Sequence, residues 1–176
     1  GDFALADAYA RQVAGGAGWG IGDLRFADET MATNFRPLTW TPSEDTSFTS
    51  DLDGAGGIAL RVAPGANGIA LFRMLRVAPG NYRLNARATF ADAAQVRGSW
   101  RAHCLGEKGG AELAALPLAS GSGSVALEIP ATCAGLRLAF VVDTNAASLE
   151  TSITLHSVAL TRTTPSAGNA TAQDRR

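Results

Sequence analysis

The chain has 176 residues, a hydrophobic fraction of 46%, and 15 basic against 16 acidic side chains, which gives a net charge of −1. This length and composition fit a single globular domain with a buried core, and the balanced charge excludes the basic surplus that nucleic-acid binding needs. No apolar run approaches the roughly 18–20 residues that span a bilayer, so no membrane insertion is predicted.

Residues 1–34 are predicted to form an N-terminal arm that differs in pattern from the rest of the chain. Residues 4–13 are rich in alanine, which favours a short helix, whereas the glycines that follow favour a loop. Trp19 lies among those glycines, and an exposed indole ring there would stack on the apolar face of a sugar. The alternative is that Trp19 closes an edge of the core.

From residue 35 to residue 161 the hydrophobic pattern is that of short β-strands. Residues 81–90 give the clearest strand, because apolar and polar residues alternate with a period of two. The predicted core-facing residues of this strand are Tyr82, Leu84, Ala86, Ala88 and Phe90. Residues 96–104 alternate in the same way, whereas residues 68–77 are apolar on both faces, which is typical of a strand covered on both sides.

The remaining segments complete a set of about eight to ten strands with turn signals about every 8–12 residues. Residues 120–124 (SGSGS) are predicted to be a flexible, hairpin-like connection. In residues 151–161 the apolar phase switches, which predicts a β-bulge near His156 and Ser157. Residues 162–176 are predicted to be a disordered tail or linker. The pattern as a whole predicts an all-β fold, a two-sheet antiparallel sandwich of the jelly-roll type over residues 35–161.

Cys104 and Cys133 are the two cysteines of the chain, and each lies in an apolar segment. Their spacing fits neither a C-x-x-C redox motif nor a four-ligand zinc site, which leaves a disulfide or two buried thiols. The disulfide is the favoured interpretation. Because disulfides persist in oxidising compartments, it predicts a periplasmic or extracellular protein.

The residues that could support catalysis are few and scattered. The two histidines, His103 and His156, belong to no H-E-x-x-H motif, and the chain has no G-x-S-x-G motif. Asp51 and Asp53 resemble part of a calcium-binding turn, but a solvated turn is the favoured interpretation, since the rest of an EF-hand loop is missing. The sequence therefore predicts no enzyme activity, no cofactor and no metal site.

A set of cations on the polar sides of two predicted strands is the main candidate for a ligand-binding surface. If residues 81–90 and 96–104 pair as a hairpin, these side chains form one basic patch. Arginine side chains of this kind bind carboxylates, phosphates and uronic acids. The alternative is a solvated sheet face. The set consists of Arg83, Arg87, Arg97, Arg101 and His103.

Three short motifs resemble jelly-roll carbohydrate-binding modules with a galactose-binding-domain-like fold. Residues 1–3 (GDF) resemble the opening strand of such modules, Trp40 their early tryptophan, and residues 79–84 (PGNYRL) their central strand. The chain is also similar to sandwich domains appended to bacterial tetratricopeptide-repeat envelope proteins. That similarity rests on Trp100 and Cys104 in one strand and a second cysteine downstream. The resemblance implies a sandwich fold and recognition of carbohydrate.

The sequence thus predicts a non-catalytic binding module for envelope or extracellular carbohydrate. The alternative is a structural or assembly domain that mediates protein–protein contacts in a larger bacterial envelope or extracellular complex. The expected partner is a glycan or another protein chain. The predicted ligand-binding residues are Trp19, Arg83, Arg87, Arg97, Arg101 and His103.

Overall fold

The computed structural model describes residues 22–24, 26, 38–106, 110–145 and 149–163, together with Ala8 and Gln12. The described residues form eleven β-strands: β1 (Gly22–Asp23), β2 (Thr41–Pro42), β3 (Phe48–Leu52), β4 (Ile58–Val62), β5 (Asn67–Leu75), β6 (Gly80–Phe90), β7 (Val96–Leu105), β8 (Glu112–Leu118), β9 (Gly121–Ile129), β10 (Gly135–Thr144) and β11 (Thr151–Arg162).

The strands form two antiparallel sheets, which confirms the predicted sandwich. Sheet A has the order β3-β4-β11-β6-β9, with the short β1 paired to β11, and sheet B has the order β2-β5-β10-β7-β8. From β4 to β11, every connection except the β7–β8 hairpin carries the chain from one sheet to the other. Strands that are neighbours in sequence therefore lie mostly in different layers, as in a jelly roll.

The inner faces of both sheets form one hydrophobic core. Strand β6 alternates as predicted, with Tyr82 and Leu84 buried and the side chains between them turned to solvent. In the centre, Trp100 packs against Phe140 and Trp40, with ring centroids 5.1 and 5.4 Å apart. Each such ring buries about 150–250 Å², which contributes about 4–6 kcal/mol at ~25 cal/mol per Å². Trp40 and Trp100 are thus core residues.

Cys104 and Cys133 form the predicted disulfide, with their Cα atoms 5.4 Å apart. The bond joins the end of β7 to the connection between β9 and β10. It closes a loop with a sequence separation of 29 residues. The disulfide therefore ties the end of one sheet B strand to the loop that enters its neighbour.

The bulge predicted near His156 and Ser157 is confirmed in β11. Leu155 pairs with Ala88 of β6, whereas Ser157 pairs with Arg87, so one extra residue is inserted in β11. Because the phase of alternation changes at the bulge, the apolar side chains before it and those after it all face the core.

The prediction of a flexible connection at residues 120–124 was wrong. Gly121 to Ser124 form the first half of β9 and pair with β6. Gly123 faces the core, where an added Cβ would lie 2.8 Å from Cδ2 of Leu118 and 3.0 Å from Cδ1 of Leu116. Glycine is present there because β8 and β9, the edge strands of opposite sheets, approach closely.

Part of the N-terminal segment joins the sandwich. Strand β1 pairs with residues 159–160 of β11, and Leu24 and Phe26 are buried in the core. Of the predicted helix at residues 4–13, only Ala8 and Gln12 are described; both are helical and exposed. Trp19, residues 1–3 and residues 164–176 lie outside the described residues.

Candidate functional site

The structure separates the five basic residues of the predicted patch into two groups. Strand β6 pairs with β11 and β9 in sheet A, and β7 pairs with β10 and β8 in sheet B. The predicted hairpin between these strands does not form, because the turn at residues 91–95 carries the chain from one sheet to the other. The single basic patch is therefore absent.

Arg83 and Arg87 lie on the outward face of sheet A, which we call face A, because they alternate with the buried residues of β6. Arg97, Arg101 and His103 alternate with the buried residues of β7, which places them on the outward face of sheet B, or face B. The two faces point in opposite directions.

Face B is built from rows of side chains that run across three strands. Residues directly opposite each other in antiparallel strands share a face, so the pairing register defines each row. The rows, from β5 through β10 to β7, are Met74–Arg137–His103, Phe72–Ala139–Arg101, Ile69–Val141–Ser99 and Asn67–Asp143–Arg97.

The β5 side of face B is apolar, although outward faces of a sandwich are usually polar. Ile69, Phe72, Met74 and Val141 are half-buried, and Ala139, the shortest side chain on its row, is fully buried. Among the aromatic residues that the structure describes, Phe72 is the one that is not buried. The apolar outward side of residues 68–77 that the sequence indicated is thus located on this face.

The β7 side of face B carries charge. Oε2 of Glu112 lies 3.6 Å from Nη1 of Arg101 and 3.8 Å from Nε2 of His103. Nδ1–H of His103 donates to the carbonyl of Gly110 at 3.3 Å, which fixes the ring. On the adjacent β10, Nε of Arg137 is buried and has no hydrogen-bond acceptor among the described residues.

Face A has a different composition, with small polar residues on both sides of β6. Its rows, from β11 through β6 to β9, are Ser157–Arg87–Ser122, Ala159–Asn85–Ser124 and Thr161–Arg83–Ala126. Nη1 of Arg83 donates to Oγ of Ser124 at 3.2 Å. A shallow hollow of about 370 Å³ lies on the first two rows, lined by Asn85, Ala86, Arg87, Ser122, Gly123, Ser124 and Ser157.

Sequence reasoning found the arginines of both faces but missed their neighbours. Ser122 and Ser124 were assigned to a loop, although serine alternating with glycine is itself a period-two strand pattern in which serine faces outward. Phe72 was recognised only as part of an apolar segment. Its outward direction follows from the pairing of β5 with β10, which no local pattern specifies.

The acidic turn at residues 51–54 is organised by hydrogen bonds within the chain. Oδ1 of Asp53 accepts hydrogen bonds from the backbone N–H groups of Ala55 at 2.8 Å and of Gly57 at 2.7 Å.

Across the described ranges, no group of three or more His, Cys, Asp or Glu side chains converges in a way that could hold a metal ion. In the same part of the chain, no apolar helix reaches bilayer-spanning length.

The two sheets and their alternating connections place the chain in the structural class of jelly-roll sandwiches to which carbohydrate-binding modules belong. A structure of a CBM4 carbohydrate-binding module superposes with a TM-score of 0.52 at 10% identity, covering 72% of this chain and 88% of that one. TmCBM61, solved in complex with β-1,4-galactotriose, gives a TM-score of 0.50 at 13% identity, covering 79% and 99%.

A third similar structure contains accessory secretory proteins 1, 2 and 3 of Streptococcus pneumoniae, with a TM-score of 0.50 at 10% identity, covering 69% of this chain and 90% of that one. No protein-family model matches the chain, and no curated protein matches its sequence. At these identities the similarity shows the fold alone. The predicted resemblance to a carbohydrate-binding-module fold is confirmed.

Proposed function

We propose that the chain is a non-catalytic carbohydrate-binding module of the bacterial envelope or the extracellular space, and that its glycan lies across face B. The observation that carries this proposal is the pairing of an apolar half with a charged half on one outward face. A sugar ring presents C–H groups on its faces and hydroxyls at its edges. Ligand sites generally combine apolar surface with a few fixed polar groups.

The central row of face B fits the width of a sugar ring. Phe72 and Arg101 lie two strands apart, about 10 Å at the usual strand spacing, with Ala139 between them. A ring above the alanine would contact the Phe72 side chain and receive hydrogen bonds from the Arg101 guanidinium. Aromatic side chains supply such contact area at low entropic cost.

The polar groups of the β7 side support the orientation of hydroxyl groups. Glu112 holds Arg101 and His103 in place, so donors and an acceptor stand side by side. The predicted ligand-binding residues Arg97, Arg101 and His103 belong to this proposal.

The proposal of a non-catalytic module in an oxidising compartment has separate support. The sequence contains neither an H-E-x-x-H nor a G-x-S-x-G motif, and the described residues form no metal-binding group. The Cys104–Cys133 disulfide favours a periplasmic or extracellular location, since such bonds persist there.

A glycan array followed by calorimetry on the best ligand tests the proposed function. We expect saturable binding by the wild-type chain and a loss of about tenfold or more in affinity for Phe72→Ala, about 1.4 kcal/mol or more. Leu149→Ala is the matched control, because it removes an apolar side chain that is 74% exposed in the β10–β11 connection. Its affinity should equal that of the wild type.

Two outcomes would contradict the proposal in different ways. A folded wild-type chain that binds nothing on the array removes the carbohydrate function. Binding that survives both Phe72→Ala and Arg101→Ala keeps the function but moves the glycan away from face B.

A second function, assembly with another protein chain, is favoured by one specific observation. The apolar side chains Ile69, Phe72 and Met74 form a continuous outward row on β5, and apolar surface of this kind also occurs at protein interfaces. A blank array together with a complex that Phe72→Ala dissociates in light scattering would establish this function instead.

A further inference from the structure

Face A holds a second candidate site that is independent of the proposed glycan site on face B. The hollow of about 370 Å³ on β6, β9 and β11 exists because short side chains flank β6 on both sides. Ser122 and Ser124 lie on the β9 side and Ser157 on the β11 side. The longer side chains of Asn85 and Arg87 therefore project beyond the shorter side chains on either side of them.

The polar groups that line the hollow are mostly hydrogen-bond donors. The Arg87 guanidinium has five N–H donors, the Asn85 amide has two, and each serine hydroxyl has one. The lining residues include no carboxylate. Arg87 forms no ion pair within the part of the chain that the structure describes, in contrast to Arg101 on face B.

The three strands that line the hollow, β6, β9 and β11, carry more basic than acidic side chains. The outward side chains of β6 include Arg83 and Arg87, and neither β6 nor β11 contains an acidic residue. Glu128 is the one carboxylate on the described β9, and it pairs with Asn81 at the far end of the strand. Asp51 of β3 also lies on this face, and Asp23 of β1 pairs with Ala159 of β11, so the positive charge is local to β6 beside the hollow.

We propose that the hollow binds the anionic group of an acidic polysaccharide, a uronate carboxylate or a sulfate ester, through Arg87 with Asn85 and the serine hydroxyls. An arginine fork forms two parallel hydrogen bonds to such a group. Arg83 lies four residues from Arg87 on the same strand, about 13 Å away at 3.3 Å per residue, and offers a second cation to a repeating anionic polymer.

Affinity measurements with polygalacturonate and heparin test this site, with neutral galactan and a DNA oligonucleotide as comparison probes. We expect one of the two acidic polysaccharides to bind, and which one binds distinguishes carboxylate from sulfate. Arg87→Gln should lower that affinity about tenfold. Arg87→Lys should lower it less, because lysine keeps the positive charge but cannot form the two parallel hydrogen bonds of a guanidinium group. Arg61→Gln is the matched control, because it removes the same charge from β4 on the same face.

The outcomes separate this proposal from the proposed function. Equal losses for Arg87→Gln and Arg61→Gln, or equal binding of DNA, would show diffuse charge attraction and overturn the hollow as a site. Acidic polysaccharide binding that Phe72→Ala abolishes and Arg87→Gln leaves unchanged would place the anionic glycan on face B, which overturns this proposal while supporting the other. If neither polygalacturonate nor heparin binds, the proposal that the hollow is an anion site is overturned, and the test of face B is unaffected.

Discussion

Gly98 on β7 faces the core, and its replacement by alanine gives a direct test of the packing between the two sheets. An added Cβ would lie 2.5 Å from Cζ of Phe140 and 2.9 Å from Cζ of Phe90. Carbon atoms in favourable contact are about 3.5–4.0 Å apart, so both rings would have to move by about 1 Å. Phe140 is fully buried and packs against Trp100, so it has little room to move.

Two opposing effects determine how much Gly98→Ala changes the free energy of unfolding. Overpacking of a filled core costs about 1–3 kcal/mol, and alanine recovers about 0.4–1 kcal/mol by restricting the unfolded chain. Gly98 is not among the glycines with positive φ, so backbone strain adds nothing. We expect Gly98→Ala to lower the free energy of unfolding by about 1–2 kcal/mol, which for a domain of this size lowers Tm by about 2–8 °C.

Urea unfolding followed by tryptophan fluorescence measures this change, with the m-value as a check that the unfolded state is unaltered. Gly106→Ala is the matched control, because among the described residues its added Cβ would meet nothing nearer than the Thr132 carbonyl oxygen at 3.9 Å. That variant should be unchanged or slightly more stable. A Gly98→Ala variant as stable as the wild type would show that the rings relax without cost and would refute the close packing inferred here.

Two further predictions concern the disulfide and the turn before β3. Joint replacement of Cys104 and Cys133 by alanine should lower the free energy of unfolding by about 3–4 kcal/mol and Tm by about 6–16 °C in calorimetry; a change below about 1 kcal/mol would contradict the entropic estimate. The backbone N–H of Ser47, and then its hydroxyl, hold the pKa of Asp45 below its usual range, so the ionised form stabilises the fold. Asp45→Asn should therefore be destabilising at neutral pH, and the difference should vanish as the pH falls through the lowered pKa; an NMR titration giving an ordinary aspartate pKa would refute this.

Features that depend on local periodicity were predictable from the sequence. The alternation of Tyr82 with its polar neighbours identified the buried face of β6, because one face of the strand meets the core and the other meets water. The change of phase around His156 located the bulge for the same reason. The disulfide followed from the pairing of the chain's two cysteines.

The assignment of strands to sheets was not predictable from periodicity. Residues 81–90 and 96–104 have the alternation of a hairpin, yet a turn of five residues sends them to different layers. The hydrophobic pattern indicates which side of a strand is buried, but it does not indicate which strand pairs with it in the sheet. The candidate sites depend on that missing information, since Arg87 lies beside serines and Arg101 beside Glu112 only through pairing. Trp19 stays a prediction, because it lies outside the described residues.

The bulge in β11 also sets a limit on how the length of this strand can vary. Ile153 and Leu155 face the core before the extra residue, and Val158 and Leu160 face it afterwards. Removal of one residue at the bulge would keep the second pair on the core side, because the alternation would then run without interruption, whereas removal of a residue between Val158 and Leu160 would turn Leu160 toward solvent. The bulge is therefore the position at which β11 can lose one residue and still bury all four of these side chains.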